Sequence, residues 1–519
     1  MPLRSYAHKT AILILITTLI RGFLTTFLEL GNDESYYYTY ALQPDWNHFD
    51  HPPLIGIFIR IFTLNLQWVN DFSMRLPSIV GAAICTWLIF RCGSLLKNQR
   101  TGWLAAILYN TSIFTSFASG LLILPDSVQL VFWLWGVYLS LQLILIPTNE
   151  KSENYRILLL GVVIGLATMC KVHGVFLWVG LGAFIVLHDR KLLRNPVLYL
   201  SVLLTLLIIS PIYFWNLHYD FVTWRFHSER VVVQESGVDL GGFLQTLIDM
   251  FIYFSPFNVI IYILSLFHLR KTSFPGQSLK LLCWMAFPII IATLTVSLFR
   301  TTLVHWSGPG HVGLMIIAAY VMDDSIDLPK NIYKPFLNLT IASMGIFVIL
   351  GVTGTNYIPG TTRDSRLPEL GKNDITLERY GWNYLRNQFD QIRQTEIREG
   401  RMNINSPIIL ARWYPGCHYL YYIGRPLGIP VIGLGPVDQI HKYAWLNNMQ
   451  GYISRGDNGY FISTSNYFED PYELFDEDFE RIVYIDRIPL LRSGATVRYW
   501  YIYRLEMAVR DMGKYYIDE

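Results

Sequence analysis

The chain has 519 residues, of which 52% are hydrophobic and only 15% charged, and its formal net charge is +2. Ordinary soluble domains carry about a quarter charged residues, so this is a membrane composition. No basic run and no zinc-like spacing supports nucleic acid as a partner, and none is expected.

Taken in order, Arg4 and Lys9 precede an apolar run over 10–28. No small-residue cleavage site follows, which is the pattern of an uncleaved signal anchor. A membrane span needs about 20 largely apolar residues. Candidates lie at 10–28, 73–92, 101–118, 126–147, 156–171, 172–189, 196–215, 244–268, 279–299, 307–322 and 334–354, about eleven in all. Lys171, His173 and Gly174 mark the turn within the short pair at 156–189. The positive-inside rule puts Arg4 and Lys9 in the cytoplasm and the loop 29–72 outside. Within that loop, 53–70 reads as an interfacial helix whose Arg60 reaches water. The basic clusters around Arg91–Arg100, 148–156, His188–Arg194, His268–Lys271 and 323–334 then fall inside. The loop 216–243 falls outside.

After about Thr355 no membrane-length apolar run remains. Strand-like stretches occur at 407–411, 430–433, 459–463, 481–485 and 499–504, with helical stretches at 375–398 and 436–450. The expected architecture is a polytopic α-helical membrane domain over 1–354 and an extracytoplasmic α/β domain over 355–519. The five cysteines, at 85, 92, 170, 283 and 417, have no metal or redox spacing and read as structural, with Cys417 a lone thiol outside the membrane.

Residues 31–53 follow the first span directly. They carry Asp33 and Glu34, then Tyr36, Tyr37, Tyr38, Tyr40, Trp46 and Phe49, then Asp50, His51, Pro52 and Pro53. The rings suit a membrane–water interface. Carboxylates at such a depth are costly unless they bind something. Asp126, after Pro125, reads either as a helix cap or as a site group. Lys171 reads either as a snorkelling lysine or, on the outer side, as a point charge for phosphate. Trp215 and Trp224 read as interface anchors beside Asn216, and Arg225 and Arg230 read either as partners of acidic lipid or protein groups or as bidentate phosphate ligands. His305 and Trp306 precede the penultimate span. Gly456-Asp457-Asn458-Gly459 is first of all a turn.

The joint pattern of Asp33-Glu34 and Asp50-His51-Pro52-Pro53 resembles the first external loop of the GT-C glycosyltransferases that use polyprenyl-phosphate sugars. These are the bacterial relatives of protein O-mannosyltransferases and lipid A aminoarabinose transferases. Pro125-Asp126, the Gly-rich helix ending in Lys171, Trp215-Asn216 and His305-Trp306 are similar to further motifs of that branch. The likeness covers residues 5–325 well and the outer domain loosely.

The resemblance implies a membrane enzyme that moves a sugar, with inversion, from an undecaprenyl-type phosphate to a protein, lipid or glycan acceptor. The acting face would be the outer side of the inner (plasma) membrane. Asp33 would be the base or acceptor-orienting carboxylate, supported by Glu34, with Asp50 as the second acid. His51, Lys171, Arg230 and Arg225 would hold the donor phosphate, and Asp126, His173, Trp215, Asn216, His305 and Trp306 would line the substrates. Some relatives have lysine where this chain has His51, which makes the hold on phosphate depend on pH. The resemblance names no cofactor and leaves metal dependence open. A divalent ion on Asp33, Asp50 and His305 is allowed by their donor types. A transporter of lipid-linked sugar and a membrane sensor or scaffold stand as alternatives. The first lacks the paired halves usual for transporters, and the second has no need of the acidic elements. Neither the sugar nor the acceptor is named by the sequence.

Overall fold

The structure is a computed structural model that describes residues 5–147, 149–231, 237–325, 332–359 and 369–515. Parts of the connections 216–243 and 323–334 thus lie outside the described residues. The chain divides into two compact units. The first comprises 1–23, 50–62 and 72–347, and the second 24–49, 63–71 and 348–519. The stretch with Asp33 and Glu34 therefore belongs to the second unit, and Asp50 and His51 belong to the first.

The first unit is helical. All eleven expected spans are helical over most of their length. Among the described residues seven helices are long and apolar enough to cross a membrane, and eight if one bent pair counts as a single span. The seven are Tyr6–Leu24, Asp71–Leu96, Pro125–Leu145, Glu150–Cys170, Pro196–His218, Gly276–Ser297 and Tyr333–Asn356. Several membrane-spanning helices make this a multi-pass membrane protein.

The remaining expected spans are broken, shorter (Val172–His188) or less apolar, for physical reasons. The run 101–118 is split into a helix Gln99–Asn110 and a short π-helix Phe114–Ala118. At the split, Asn110 Nδ2 donates to Ala106 O (2.9 Å) and Thr111 Oγ1 to Ile107 O (3.0 Å), the kind of back-bonding that competes with helix continuation. Arg21 donates to Ser116 O (3.0 Å) and Asn110 Oδ1 (3.0 Å), so this break is held from the first helix. The run 244–268 is a pair, Leu240–Tyr253 and Pro256–His268, bent by 101°. Ser255 sits at the bend with φ +68 and precedes Pro256, which disfavours the helical conformation in the residue before it. The helix Gly308–Ser325 is buried along its length from Gly308 to Asp323. Its last turn is tied to the start of Gln99–Asn110: Asp323 accepts from Asn98 Nδ2 (2.9 Å) and Thr101 Oγ1 (3.1 Å) and pairs with Lys97 and Arg100.

The second unit is built on a five-stranded mixed sheet of order β2-β1-β3-β5-β4, with β1 Ile408–Leu410, β2 Val431–Gly433, β3 Gly459–Thr464, β4 Phe479–Arg492 and β5 Ala495–Ala508. β1 pairs in parallel with β2 and β3, and β5 runs antiparallel to both β3 and β4. The helix Trp382–Arg398 fills most of the expected stretch 375–398. Asn32–Leu42 packs against Trp413–His418, with Tyr36 and Trp413 ring centroids 5.0 Å apart. All five cysteines are free. Cys417 is buried and donates from Sγ to Asn32 O, so it is not an accessible thiol.

Candidate functional site

A cavity of about 420 Å³ opens within the first unit. His51, Lys171, His173, Trp224, His227, His305 and Trp306 line it, from four stretches far apart in the chain. One face is apolar: Ile289, Ala292, Thr293 and Val296 recur at the three-and-four spacing of a helix face on Gly276–Ser297.

Lys171 is the cavity's fixed cation. The helix Glu150–Cys170 stops at Cys170, Lys171 is extended at φ −158, ψ 133, and a short 3-10 turn runs over Val172–Val175. This is the turn expected between the two segments of 156–189. A Cβ on Gly174 would sit 2.4 Å from Thr168 N and 2.5 Å from the Ala167 carbonyl carbon, so only glycine lets the chain double back here. Gln129 Nε2 donates to Lys171 O (2.7 Å) and clamps the turn. Lys171 Nζ donates to both oxygens of Asp126, at 2.9 and 2.8 Å, and both residues are buried. Asp126 thus serves as the counter-ion of Lys171, and the residue before the helix Pro125–Leu145 is Leu124. A buried cation is tolerated in such surroundings only with a partner of this kind.

Four imidazoles gather in the cavity wall. His227 Nε2 hydrogen-bonds Asp50 O (2.6 Å), and the His51 and His227 ring centroids lie 6.0 Å apart. His173 lies 5.9 Å from the Trp306 ring. Burial pushes His51 down to about 3, with Asp50 pulling it up and His227 and Lys171 pushing it further down. His305 is lowered to about 4, first by burial and then by Lys171, with Asp126 opposing. Both rings are neutral at pH 7.

The remaining expected site residues are placed as follows. Trp215 and Asn216 are buried in the helix Pro196–His218, where Asn216 Nδ2 donates to Ile212 O (2.9 Å), and neither lines the cavity. Arg225 is exposed and paired with the still more exposed Asp220 at 2.7 Å. Arg230 lies in the helix Val222–Val231, but its side chain is outside the described residues. Asp50 is half-buried beside His51.

In the second unit, Asp33 is exposed in the first turn of Asn32–Leu42. Glu34 is fully buried. It accepts from Gly31 N (2.9 Å), closing the start of its own helix, and lies 3.7 Å from Arg379 Nε. A Cβ on Gly31 would sit 2.6 Å from that guanidinium, so glycine admits it. Glu34 thus holds the local backbone in place. Among the described residues no three His, Cys, Asp or Glu side chains gather as a metal group. Of the expected metal set, Asp33 belongs to the second unit and Asp50 and His305 to the first, and no step is derived through an ion.

Sequence reasoning underrated His227 and missed the wall from Gly276–Ser297. The first stood in a run of aromatic and basic residues read for its arginines. The second was legible as a helical stripe that looks like any buried face.

Residues 50–215 match a family model described as dolichyl-phosphate-mannose-protein mannosyltransferase. The chain is 20% identical over 314 residues to a lipid A galacturonosyltransferase of Rhizobium johnstonii, covering 60% of this chain and 63% of that protein. It is 25% identical over 333 residues to an undecaprenyl phosphate-alpha-4-amino-4-deoxy-L-arabinose arabinosyl transferase of Pectobacterium carotovorum, covering 59% and 57%. The chain thus spans under two thirds of the length of these relatives. Its structure superposes with a TM-score of 0.65 on ArnT from Cupriavidus metallidurans, both in the apo state, at 13% identity over 96% of this chain and 98% of that one, and bound to undecaprenyl phosphate, at 14% identity over 95% and 97%. The chain thus shares the fold of that ArnT, and its residues 50–215 are similar to the matched mannosyltransferase family.

Proposed function

We propose that the chain is an integral membrane glycosyltransferase that moves a sugar, with inversion, from a polyprenyl phosphate of the undecaprenyl type to a protein, lipid or glycan hydroxyl. The acting face is the outer side of the inner membrane, and the domain 355–519 lies on that side. The observation that carries this reading is the cavity in the first unit, where His51, Lys171, His173, His305 and Trp306 converge. The first three fall within the matched segment. The relatives' names supply the donor class, and one ArnT structure holds undecaprenyl phosphate.

The chemistry needs few parts. The acceptor hydroxyl attacks the anomeric carbon, the bond from that carbon to the phosphate oxygen breaks, and polyprenyl phosphate leaves. A carboxylate takes the hydroxyl proton, and Asp33 is assigned this role with Asp50 as the second acid. Cationic groups stabilise the charge growing on the leaving phosphate. Lys171, its charge shared with Asp126, supplies part of this, and His51, taking up a proton as phosphate binds, another part, with Arg225 and Arg230 as further candidates. The apolar face Ile289, Ala292 and Val296 suits the first isoprene units of the lipid.

The test is release of polyprenyl phosphate from radiolabelled polyprenyl-phosphate sugars by the purified protein, with membrane extract as acceptor. Release by the wild type, lost by at least a hundredfold in Asp33→Asn and His51→Ala, is expected. Binding of donor without release under any acceptor condition would overturn the transferase assignment in favour of a carrier.

A further inference from the structure

A second cavity, of about 440 Å³, lies wholly within the second unit, and the transferase reading makes no use of it. Its walls come from residues 25–29, Asp71, Asn356, residues 379–384 and the end of β4. Two carboxylates are held in fixed positions there. Glu29 accepts from Trp382 N (2.7 Å), Asn383 N (2.9 Å) and Asn383 Nδ2 (2.8 Å), at the start of the helix Trp382–Arg398. Asp71 accepts from Tyr422 OH (3.1 Å). Asn356 Nδ2 donates to Phe27 O (3.1 Å), joining two walls. Tyr384 lines the cavity with 41% of its surface open.

The charge balance selects against an anion. Arg379 is the cavity's guanidinium, and it is flanked by Glu34 at 3.7 Å and Glu378 at 3.5 Å. Two carboxylates against one matched cation repel phosphate. The polar walls equally disfavour a purely apolar guest, whose burial would leave those groups without water. A ligand suited to this lining brings hydroxyls that both donate and accept, and one flat C–H face to lie on a tyrosine ring. We infer that this cavity is a saccharide-binding site, distinct from the cavity that holds Lys171.

Its position narrows the source of the sugar. Residue 25 directly follows Tyr6–Leu24, and Asn356 ends Tyr333–Asn356, both helices of membrane length. The cavity therefore stands where the chain leaves the apolar layer, at the level of lipid headgroups. A glycolipid headgroup and a free glycan offer the same hydroxyl chemistry at this level.

The inference is tested with the full-length protein in nanodiscs, without any turnover. Saturation-transfer NMR is run with methyl glucoside and with a soluble disaccharide, and co-sedimentation with vesicles containing a monoglucosyl diacylglycerol. Saturable binding of a soluble sugar, or of the glycolipid vesicles alone, supports the site, and the second result assigns it to a lipid headgroup. Tyr384→Ala is expected to weaken binding about tenfold, with Tyr384→Phe retaining it, at unchanged thermal midpoint. His51→Ala leaves it intact. No saturable binding of either source, equal affinity in Tyr384→Ala, or loss in His51→Ala would overturn the inference. A failed transfer assay would bear only on the proposed reaction.

Discussion

Lys171 cannot act as a bare point charge, because Asp126 grips it with both oxygens inside the protein. Removing one partner strands the other. Lys171→Met is expected to cost about 3–5 kcal/mol of stability, and Lys171→Met combined with Asp126→Leu to recover most of it, read from thermal unfolding in detergent. With that pair nearly neutral, the histidines must supply the adjustable charge. His51 and His305 lie at about 3 and 4, below the ordinary 6.5, so both are neutral at pH 7. A bound phosphate favours the imidazolium and raises these values. Affinity for polyprenyl phosphate is therefore expected to climb as pH falls from 7.5 to 5.5, by up to about tenfold per unit and per proton taken up. His51→Lys should flatten that slope in a titration of binding against pH. The same shifts work against the fold in acid. An unfolded chain binds these protons below about 6.5, so the stability of the neutral rings is complete above that pH and falls away toward 3. His51 itself was legible in the sequence, since it stands beside Pro52-Pro53 after an acid. The pairing of Glu34 with Arg379 was not, because that partner lies hundreds of residues away.

At the scale of elements, the turn from Lys171 to Val175 sets the geometry of the cavity. Gly174→Ala drives a Cβ into the backbone of the preceding helix end, where nothing flexible can yield. It is expected to lower stability by about 1–3 kcal/mol and to reduce kcat/KM by moving Lys171 and His173 together, with both readouts falling in one variant. This turn was visible in advance from Gly174 and the polar residues around it. The breaks at Asn110–Ser112 and Phe254–Ser255 were not, because hydropathy averages over a polar residue or two in an apolar run. The local chemistry was present all the same, in Asn-Thr-Ser and in Ser-Pro. Short strands β1, β2 and β3 were legible as β-branched and aromatic runs bounded by Gly or Pro. β4 and β5 proved far longer than their apolar centres, since charged residues extend β4, whose pairing with β5 shifts register between Tyr484 and Asp486 and between Leu490 and Leu491.

For the whole molecule, the positive-inside rule gives an orientation that the cysteines make easy to test. The five native thiols are buried or half-buried, so background labelling is low. Glu477→Cys is expected to react with a membrane-impermeant maleimide in intact spheroplasts, and Lys191→Cys only after lysis. The reverse pattern would invert the proposed topology. The change of character after Thr355 was legible because hydropathy collapses there, and the second unit takes in 348–519. The assignment of 24–49 to the second unit was not, because contact rather than hydropathy decides it. One consequence concerns the outermost strand. β4 closes the sheet on one side, and along it stand Glu480, Arg481, Asp486, Arg487 and Pro489. Another chain adding a strand there would have to desolvate charges of both signs and meet a proline with no N–H to offer. That edge keeps neighbouring copies from zipping together.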